Sequence, residues 1–364
     1  MNYNRSILIS HLTIPTNEIG SWNVLLTDLL KKEQFFFDNI ISPLSVDKID
    51  GVNIAIKTTT IIQRILSKFD NVYLKKNYWN SLQKVINNNP VDDFNIIVFD
   101  DLKIVFAIDK FAKKYNLRKR IRILFYLRGY EIGLNLEKRA KFYSSIDKLI
   151  VQTQSSYLHQ LNSNHTIPCE VEILPNGIDS EVFHSIDVKQ KLKLKNKLNL
   201  ANDKIYFLWV SQDRPKKGLS IILKAWSKLY EKHKNIELLV IGTHEPIIAN
   251  GVKWFSRRPN KEIKEFYQLT DYYIFSSLCH EGHSLSLTEA IKCNAKCIVS
   301  DIDPNSEIIK KDKYGILVTS PNMVESWTNT IEGVLSGEII FNKYNANDIF
   351  RKDEWILNFK KTLL

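Results

Sequence analysis

The sequence predicts an α/β protein built from two doubly wound units, and three observations predict it. Its 364 residues allow for about two domains at a typical ~100 to 200 residues each. Short β-rich runs alternate with helical patterns in two separate series, the signature of parallel sheets. Between the series, PNGIDSEVF sets Pro175, Asn176 and Gly177 in turn positions, and the polar, lysine-rich KQKLKLKNKLNLANDK follows at 189–204. A hydrophobic content of 44%, with only 12 glycines and 10 prolines, excludes a disordered chain and supplies two ordinary cores.

The first series opens with a strand, SILISHL (6–12), and the amphipathic helix SWNVLLTDLLKK (21–32). It continues through NIIVFD (95–100), a helix near 103–116, RIRILFYL (120–127), a helix near 135–145, KLIVQT (148–153) and EVEIL (170–174). The second runs through IYFLWVS (205–211), a helix over 218–233, IELLVIG (236–242), a helix near 260–269 and YYIFSS (272–277). CIVSD (297–301), YGILV (314–318) and a helix near 321–335 complete it. The tail DIFRKDEWILNFKKTLL (348–364) has apolar residues at helical spacing and predicts a packed last helix. The domains expected are 1–175, 176–341 and a terminal helical segment, 342–364, returning to the first.

No stretch of about eighteen apolar residues is present, and the first residues lack the apolar centre of a signal peptide, so a cytoplasmic chain is expected. Cys169, Cys279, Cys293 and Cys297 form no CxxC pair and suggest reduced, mostly buried thiols. The net charge of +11 suggests an anionic partner. Its densest cluster, KFAKKYNLRKRIR (110–122), has seven Lys or Arg and no acid. This is either a solvated helix end or a patch that holds the protein on the inner face of an anionic membrane. Nucleic acid is not expected, because no motif for it accompanies the charge.

In doubly wound sheets ligands bind at the carboxyl ends of the strands, so a cleft between the domains is the expected site. The loop CHEGHSLSLTEAI (279–291) follows a strand and opens a helix. Gly282, His283, Ser284 and Leu285 therefore stand at a helix N-terminus, whose free N–H groups suit a phosphate. Glu289 lies within the first turns of that helix, able to accept two hydrogen bonds from a ribose diol, and Glu281 precedes the turn. In VSQDRPKKGLSIILKAW (210–226), Arg214, Lys216 and Lys217 crowd ahead of Gly218, where fixed cations would stabilise a departing phosphate. LTIPTNEIGSWN (12–23) brings Gly20 and Ser21 to a helix start, and YLRGYEIG (126–133) places Arg128 after a strand.

EGHSLSLTE resembles the EGFGLPxxE signature of the family-four retaining glycosyltransferases of GT-B fold. VSQDRPKKG resembles that family's VGRxxxxKG stretch, and LPNGID its PNGxD turn. The resemblance is detailed over residues 170–330; the first domain matches mainly in layout. It implies two Rossmann-like domains facing a central cleft. It gives Glu281 a contact with the donor sugar, Glu289 the nucleotide ribose, His283 and Ser284 backbone contacts with the diphosphate, and Lys217 the family lysine. The family arginine falls on Gln212, so Arg214 is expected to supply the charge. Arg128-Gly129 stands where many relatives carry a histidine, and Gly20-Ser21 resembles a loop near the donor phosphates.

The activity implied is transfer of a sugar from a nucleotide diphosphate donor, with UDP-sugars favoured, to a hydroxyl of a glycan or lipid-linked glycan in surface polysaccharide or glycoconjugate assembly. Retention, front-face attack and no cofactor are implied with it. No metal is expected, since no DxD motif occupies a suitable loop and Lys217, Arg214 and helix N-termini can balance the diphosphate. The missing histidine and shifted arginine keep two alternatives open: a non-catalytic nucleotide-sugar or glycan-binding protein, and a nucleotide-sugar epimerase of similar architecture.

Overall fold

A computed structural model describes residues 4–14, 21–33, 35–43, 52–56, 72–164, 166–346 and 349–363. The chain divides into two compact units, Met1–Leu174 with Ile356–Leu364, and Pro175–Trp355.

The described residues of the first unit form seven parallel strands: β1 (Asn4–Ile9), β2 (Asn39–Pro43), β3 (Asn53–Ile56), β4 (Asp93–Phe99), β5 (Ile121–Tyr126), β6 (Lys148–Val151) and β7 (Glu170–Ile173). Their order is β3-β2-β1-β4-β5-β6-β7, so the winding reverses between β1 and β4. Strand β4, DFNIIVF, is buried almost throughout, as expected of a central strand with both faces covered. Helices Leu102–Lys114 and Leu136–Ser145 supply Val105, Ile108, Phe111, Phe142 and Tyr143 to the core over Ile96, Val98, Ile123 and Phe125.

In the second unit the described residues form β8 (Ile205–Val210), β9 (Ile236–Ile241), β10 (Val252–Phe255), β11 (Tyr272–Phe275), β12 (Lys296–Ser300) and β13 (Gly315–Val318), in the order β10-β9-β8-β11-β12-β13. Here the winding reverses between β8 and β11. Helix Leu219–Lys232 returns from β8 and buries Ile222, Ala225, Trp226 and Leu229 against the sheet, and Trp327 from helix Val324–Ser336 joins them.

Most predicted elements lie within a few residues of those observed, and the differences have physical causes. The lysine-rich tract that follows the turn between the two series, given no element from the sequence, begins as a helix, Val188–Lys197, started by a capping box between Asp187 and Gln190. Its lysines are used locally. Lys191 meets Asp271 at 2.7 Å, Lys197 meets Glu265 at 2.7 Å, and the buried Lys195 lies 4.8 Å from the Tyr206 ring. Strands β2, β3 and β10 are too short to show a period, and helices Val72–Asn88 and Gln154–Asn164 carry too many polar residues for an apolar stripe to stand out.

The basic cluster at 110–122 is also partly spent inside the fold. Lys113 pairs with Asp109 at 2.7 Å, Arg118 with Asp147 at 2.9 Å and Arg122 with Glu170 at 3.1 Å. Arg120 donates to the carbonyls of Asp92 and Asn89 at 2.6 and 2.9 Å. Lys110, Lys114 and Lys119 are exposed and carry the solvent-facing part of the charge. Among the described residues, no helix is long and apolar enough to cross a membrane.

The last helix, Lys352–Leu363, ends within the first unit. Its Phe359 is fully buried, with ring centroids 5.0 Å from Phe36, 5.6 Å from Tyr126 and 6.3 Å from Phe99. Phe359→Ala should therefore destabilise the first unit by about 3–5 kcal/mol through the lost ring and the cavity left behind. Urea unfolding followed by a probe in that unit checks this; a change below about 1 kcal/mol would mean that the helix is not anchored there.

Candidate functional site

The residues singled out in the second unit gather at the carboxyl ends of β8 and β11, the adjacent strands where the winding reverses. The loop after β8 makes a short 3₁₀ turn, Pro215–Lys217, and then enters helix Leu219–Lys232 at Gly218. Gly218 has φ of +74°, and a Cβ there would run into the Ser276 carbonyl oxygen. Only glycine meets both conditions, so this is where the two loops can come together.

They are laced at three further points. Leu278 N–H donates to the Lys216 carbonyl at 2.7 Å, the Ser276 hydroxyl donates to the Lys217 carbonyl at 2.9 Å, and Lys217 Nζ meets Glu281 Oε1 at 2.6 Å. Ser276 is itself held by the indole N–H of buried Trp209, at 3.0 Å. The Ser277 hydroxyl donates to the same Glu281 oxygen that Lys217 holds. One carboxylate oxygen is thus committed twice. Lys217 and Glu281 are each only 20% exposed, so their charges are partly shielded from water.

Helix Leu285–Lys292 starts from Ser284, whose side chain makes no cap bond to it; the Ser284 and Ser286 hydroxyls lie 3.2 Å apart instead. The first-turn N–H groups of such a helix have no intrahelical carbonyl, and with no side-chain cap they are available to an anion. Gly282 is buried in the approach to this turn. The His283 side chain points inward: it is 5% exposed, its ring lies 5.1 Å from that of Phe350, and burial depresses its imidazole to about 3. It is therefore neutral, and only its backbone is suited to a phosphate. The His283 carbonyl accepts from Asn176 Nδ2 at 2.8 Å, which ties the PNGID turn to this loop. Gly177 is needed in that turn, because a Cβ would come within 2.6 Å of Trp355 Cβ and 2.8 Å of the Arg351 carbonyl.

Glu289, in the second turn of the helix, is 8% exposed, and burial pushes its carboxyl up to about 8, with the Tyr267 hydroxyl pulling the other way. A buried carboxyl whose charged form is disfavoured in this way is a candidate group for binding ligand hydroxyls. Arg214 and Gln212 are exposed on the β8 loop, and among the described residues neither side chain has a recorded partner.

Three of the residues singled out lie in the first unit. Arg128, after β5, is paired with Asp100: its N–H and its Nε donate to the two carboxylate oxygens at 2.7 and 2.6 Å. Ser21 is the first residue of helix Ser21–Lys32, and Gly20 lies outside the described residues. Sequence reasoning missed Ser276 and Ser277, which looked like the end of a strand, and gave Asn176 only a linker role.

Comparison with known proteins agrees with this geometry. Residues 190–349 match the family described as glycosyl transferases group 1. The chain is 21% identical over 236 residues to the lipopolysaccharide 1,2-N-acetylglucosaminetransferase of Salmonella typhimurium, covering 57% of this chain and 61% of that one. It is 23% identical over 185 residues to an Escherichia coli galactosyltransferase named for GlcNAc-diphosphoundecaprenol, covering 48% of this chain and 47% of that one. The chain thus spans between 61% and 47% of the length of these relatives. Among solved structures, Anabaena HepE in complex with UDP superposes with a TM-score of 0.74 at 14% identity over 99% of each chain. A glycosyltransferase from Rickettsia africae gives 0.74 at 17% identity over 100% of this chain and 98% of that one.

The raised Glu289 carboxyl makes stability pH-dependent. Its folded value lies above the ordinary 4.5, so its contribution is fully present below about that pH and is lost as pH rises through about 8. The melting temperature of the second unit should fall between about pH 5 and about pH 9 in the wild type and less in Glu289→Gln, which has no charge to bury. Parallel curves for the two proteins would show that Glu289 ionises without cost.

Proposed function

We propose that the chain, whose residues 190–349 match the family described as glycosyl transferases group 1, is a GT-B glycosyltransferase that transfers a sugar from a nucleoside diphosphate donor to a hydroxyl of a glycan or lipid-linked glycan. The observation that carries this reading is the Lys217–Glu281–Ser277 cluster beside the open N-terminus of helix Leu285–Lys292, with Glu289 buried in that same helix. The N-terminal N–H groups and Lys217 suit a diphosphate, Glu289 suits a ribose diol, and the second oxygen of Glu281 suits a sugar hydroxyl. Exposed Arg214 stands two residues beyond Gln212 and can bring a second cation to the leaving group.

In this reading the acceptor oxygen forms a bond to the anomeric carbon as the bond from that carbon to the phosphate oxygen breaks. The leaving diphosphate takes the electron pair and then the acceptor's proton. Attack from the leaving-group face preserves the anomeric configuration. Lys217, Arg214 and the helix N-terminus neutralise the charge that grows on the diphosphate, which supports turnover without a metal. UDP is the favoured nucleotide because a solved relative of the same fold was obtained with UDP. The relatives named for lipopolysaccharide and for a diphosphoundecaprenol support a glycan or lipid-linked acceptor in surface-glycan assembly.

A panel of nucleotide sugars offered with alkyl glycoside acceptors tests the activity, and the anomeric proton of the product reports its configuration. Lys217→Ala and Arg214→Ala should each lower the rate more than tenfold, or more than about 1.4 kcal/mol of transition-state stabilisation. Glu289→Ala should weaken binding of free UDP, whereas Glu281→Ala should reduce turnover without weakening UDP binding. A near-native rate for Arg214→Ala sinks its compensating role, and an inverted product sinks retention.

Peripheral membrane contact rests on a smaller patch than the sequence suggested, Lys110, Lys114 and Lys119 with the partly engaged Lys113. Exposed cations near an acidic surface contribute about 1 kcal/mol each and are screened within roughly 10 Å at 0.1 M salt. Replacing Lys110, Lys114 and Lys119 by Ser should abolish salt-sensitive co-sedimentation with anionic vesicles. Equal partition of the wild type onto neutral vesicles would return the patch to a solvated helix end.

A further inference from the structure

The first unit holds a cavity of about 580 Å³ at the carboxyl ends of β1 and β4, the place where its winding reverses. Its walls are mostly apolar, with Trp79, Ile104, Phe106 and Leu134 among them, and the indole of Trp79 is fixed by stacking on Phe111 at 5.3 Å and 22°. The polar side chains that line it are ordered as a group. His11 Nδ1 meets Asp101 Oδ2 at 2.7 Å, while the other oxygen of Asp101 accepts from Lys103 N–H and Ile104 N–H at 2.9 and 3.1 Å, capping helix Leu102–Lys114.

Burial alone would raise the Asp101 carboxyl, but the bonds from His11 and from these N–H groups outweigh it and hold the group below its usual range. Both oxygens of Asp101 are therefore occupied, and its task is to orient the ring of His11. With Nδ1 committed, Nε2 is the ring atom left for a ligand; among the described residues it has no recorded partner.

The backbone next to this pair is held in an uncommon conformation. Asp100 has φ of +54°, and its carboxylate accepts two bonds from Arg128. Tyr78, also in the cavity wall, donates to the Ser10 carbonyl at 2.7 Å and so steadies the chain just before His11.

Against the apolar part of this wall the hydroxyls of a free polyol would be left without partners. A pure hydrocarbon would in turn leave the oriented imidazole unused. We propose that the cavity binds an amphiphilic alcohol, its hydroxyl on His11 and its hydrocarbon body against Trp79, Ile104, Phe106 and Leu134. Identifying this alcohol as the acceptor rests on the transferase reading above; the binding site itself does not.

Calorimetric titration with octyl glucoside below its micellar concentration, compared with free glucose, tests the site on the full chain. Saturable binding of octyl glucoside is expected, with none for glucose. His11→Ala should weaken it about three- to tenfold, the loss of one hydrogen bond, and His11→Gln, whose amide can still meet a hydroxyl, should recover part of the loss. Phe106→Asp and Leu134→Asp should each abolish saturable binding, with melting curves confirming which variants fold. Absence of octyl glucoside binding, equal binding of glucose, or wild-type affinity in folded His11→Ala would overturn the proposal. UDP titrated in parallel separates the two claims. UDP binding without octyl glucoside binding removes this site and leaves the transferase reading intact, and octyl glucoside binding without nucleotide binding does the reverse.

Discussion

The bond between Lys217 and Glu281 joins the two loops that form the proposed nucleotide site of the second unit. Lys217 leaves β8 and Glu281 leaves β11, the adjacent strands at which the sheet reverses its winding, so a 2.6 Å ion pair fixes the spacing of two segments 64 positions apart in sequence. It also sets the charge of the apo site. While Glu281 holds Lys217 their charges offset each other, and in the proposed function an arriving diphosphate competes with a carboxylate for that ammonium group. Ser277 makes this competition workable, because it keeps its own hold on the same Glu281 oxygen.

Everything close to the pair serves to permit it. The positive φ of Gly218 and its missing Cβ bring the β8 loop against the Ser276 carbonyl; Trp209 and Ser276 fasten that contact from the buried side. On the other flank Asn176 holds the carbonyl of His283, leaving the N-terminus of helix Leu285–Lys292 open. Burial favours the neutral form of both titratable groups here: the His283 imidazole is held neutral, and the Glu289 carboxyl is pushed up to about 8 against the pull of the Tyr267 hydroxyl. In the proposed function these groups make a set of donors for phosphate beside two acceptors for sugars, and no single residue would identify it.

Much of this was legible in the sequence, for reasons that can be named. Strands β4, β8 and β9 are long apolar runs, and Leu219–Lys232 is strongly amphipathic, so period alone finds them. Glu281, Gly282 and Glu289 stand out because a glycine turn at a helix start offers free N–H groups to a phosphate with a carboxylate on either side. Tertiary facts were not legible. The helix Val188–Lys197 is stabilised by partners far along the chain, and β2, β3 and β10 gain their structure from their neighbours. Ser277 and Asn176 are ordinary residues until the fold brings them to Glu281 and His283. The charge at 110–122 suggested a free basic surface because its carboxylate and carbonyl partners, at Asp92, Asp147 and Glu170, come from other elements.

Besides facing a sugar hydroxyl, Glu281 is proposed to set nucleotide affinity through its hold on Lys217. A double-mutant cycle on UDP affinity, using Lys217→Met, Glu281→Gln and the double variant, tests it most directly. Freeing Lys217 from its carboxylate should make Glu281→Gln bind UDP more tightly than wild type, Lys217→Met should bind more weakly, and the gain from Glu281→Gln should vanish once Lys217 is gone. An equal gain from Glu281→Gln with and without Lys217 would contradict the account, since the two side chains would then act on the diphosphate independently.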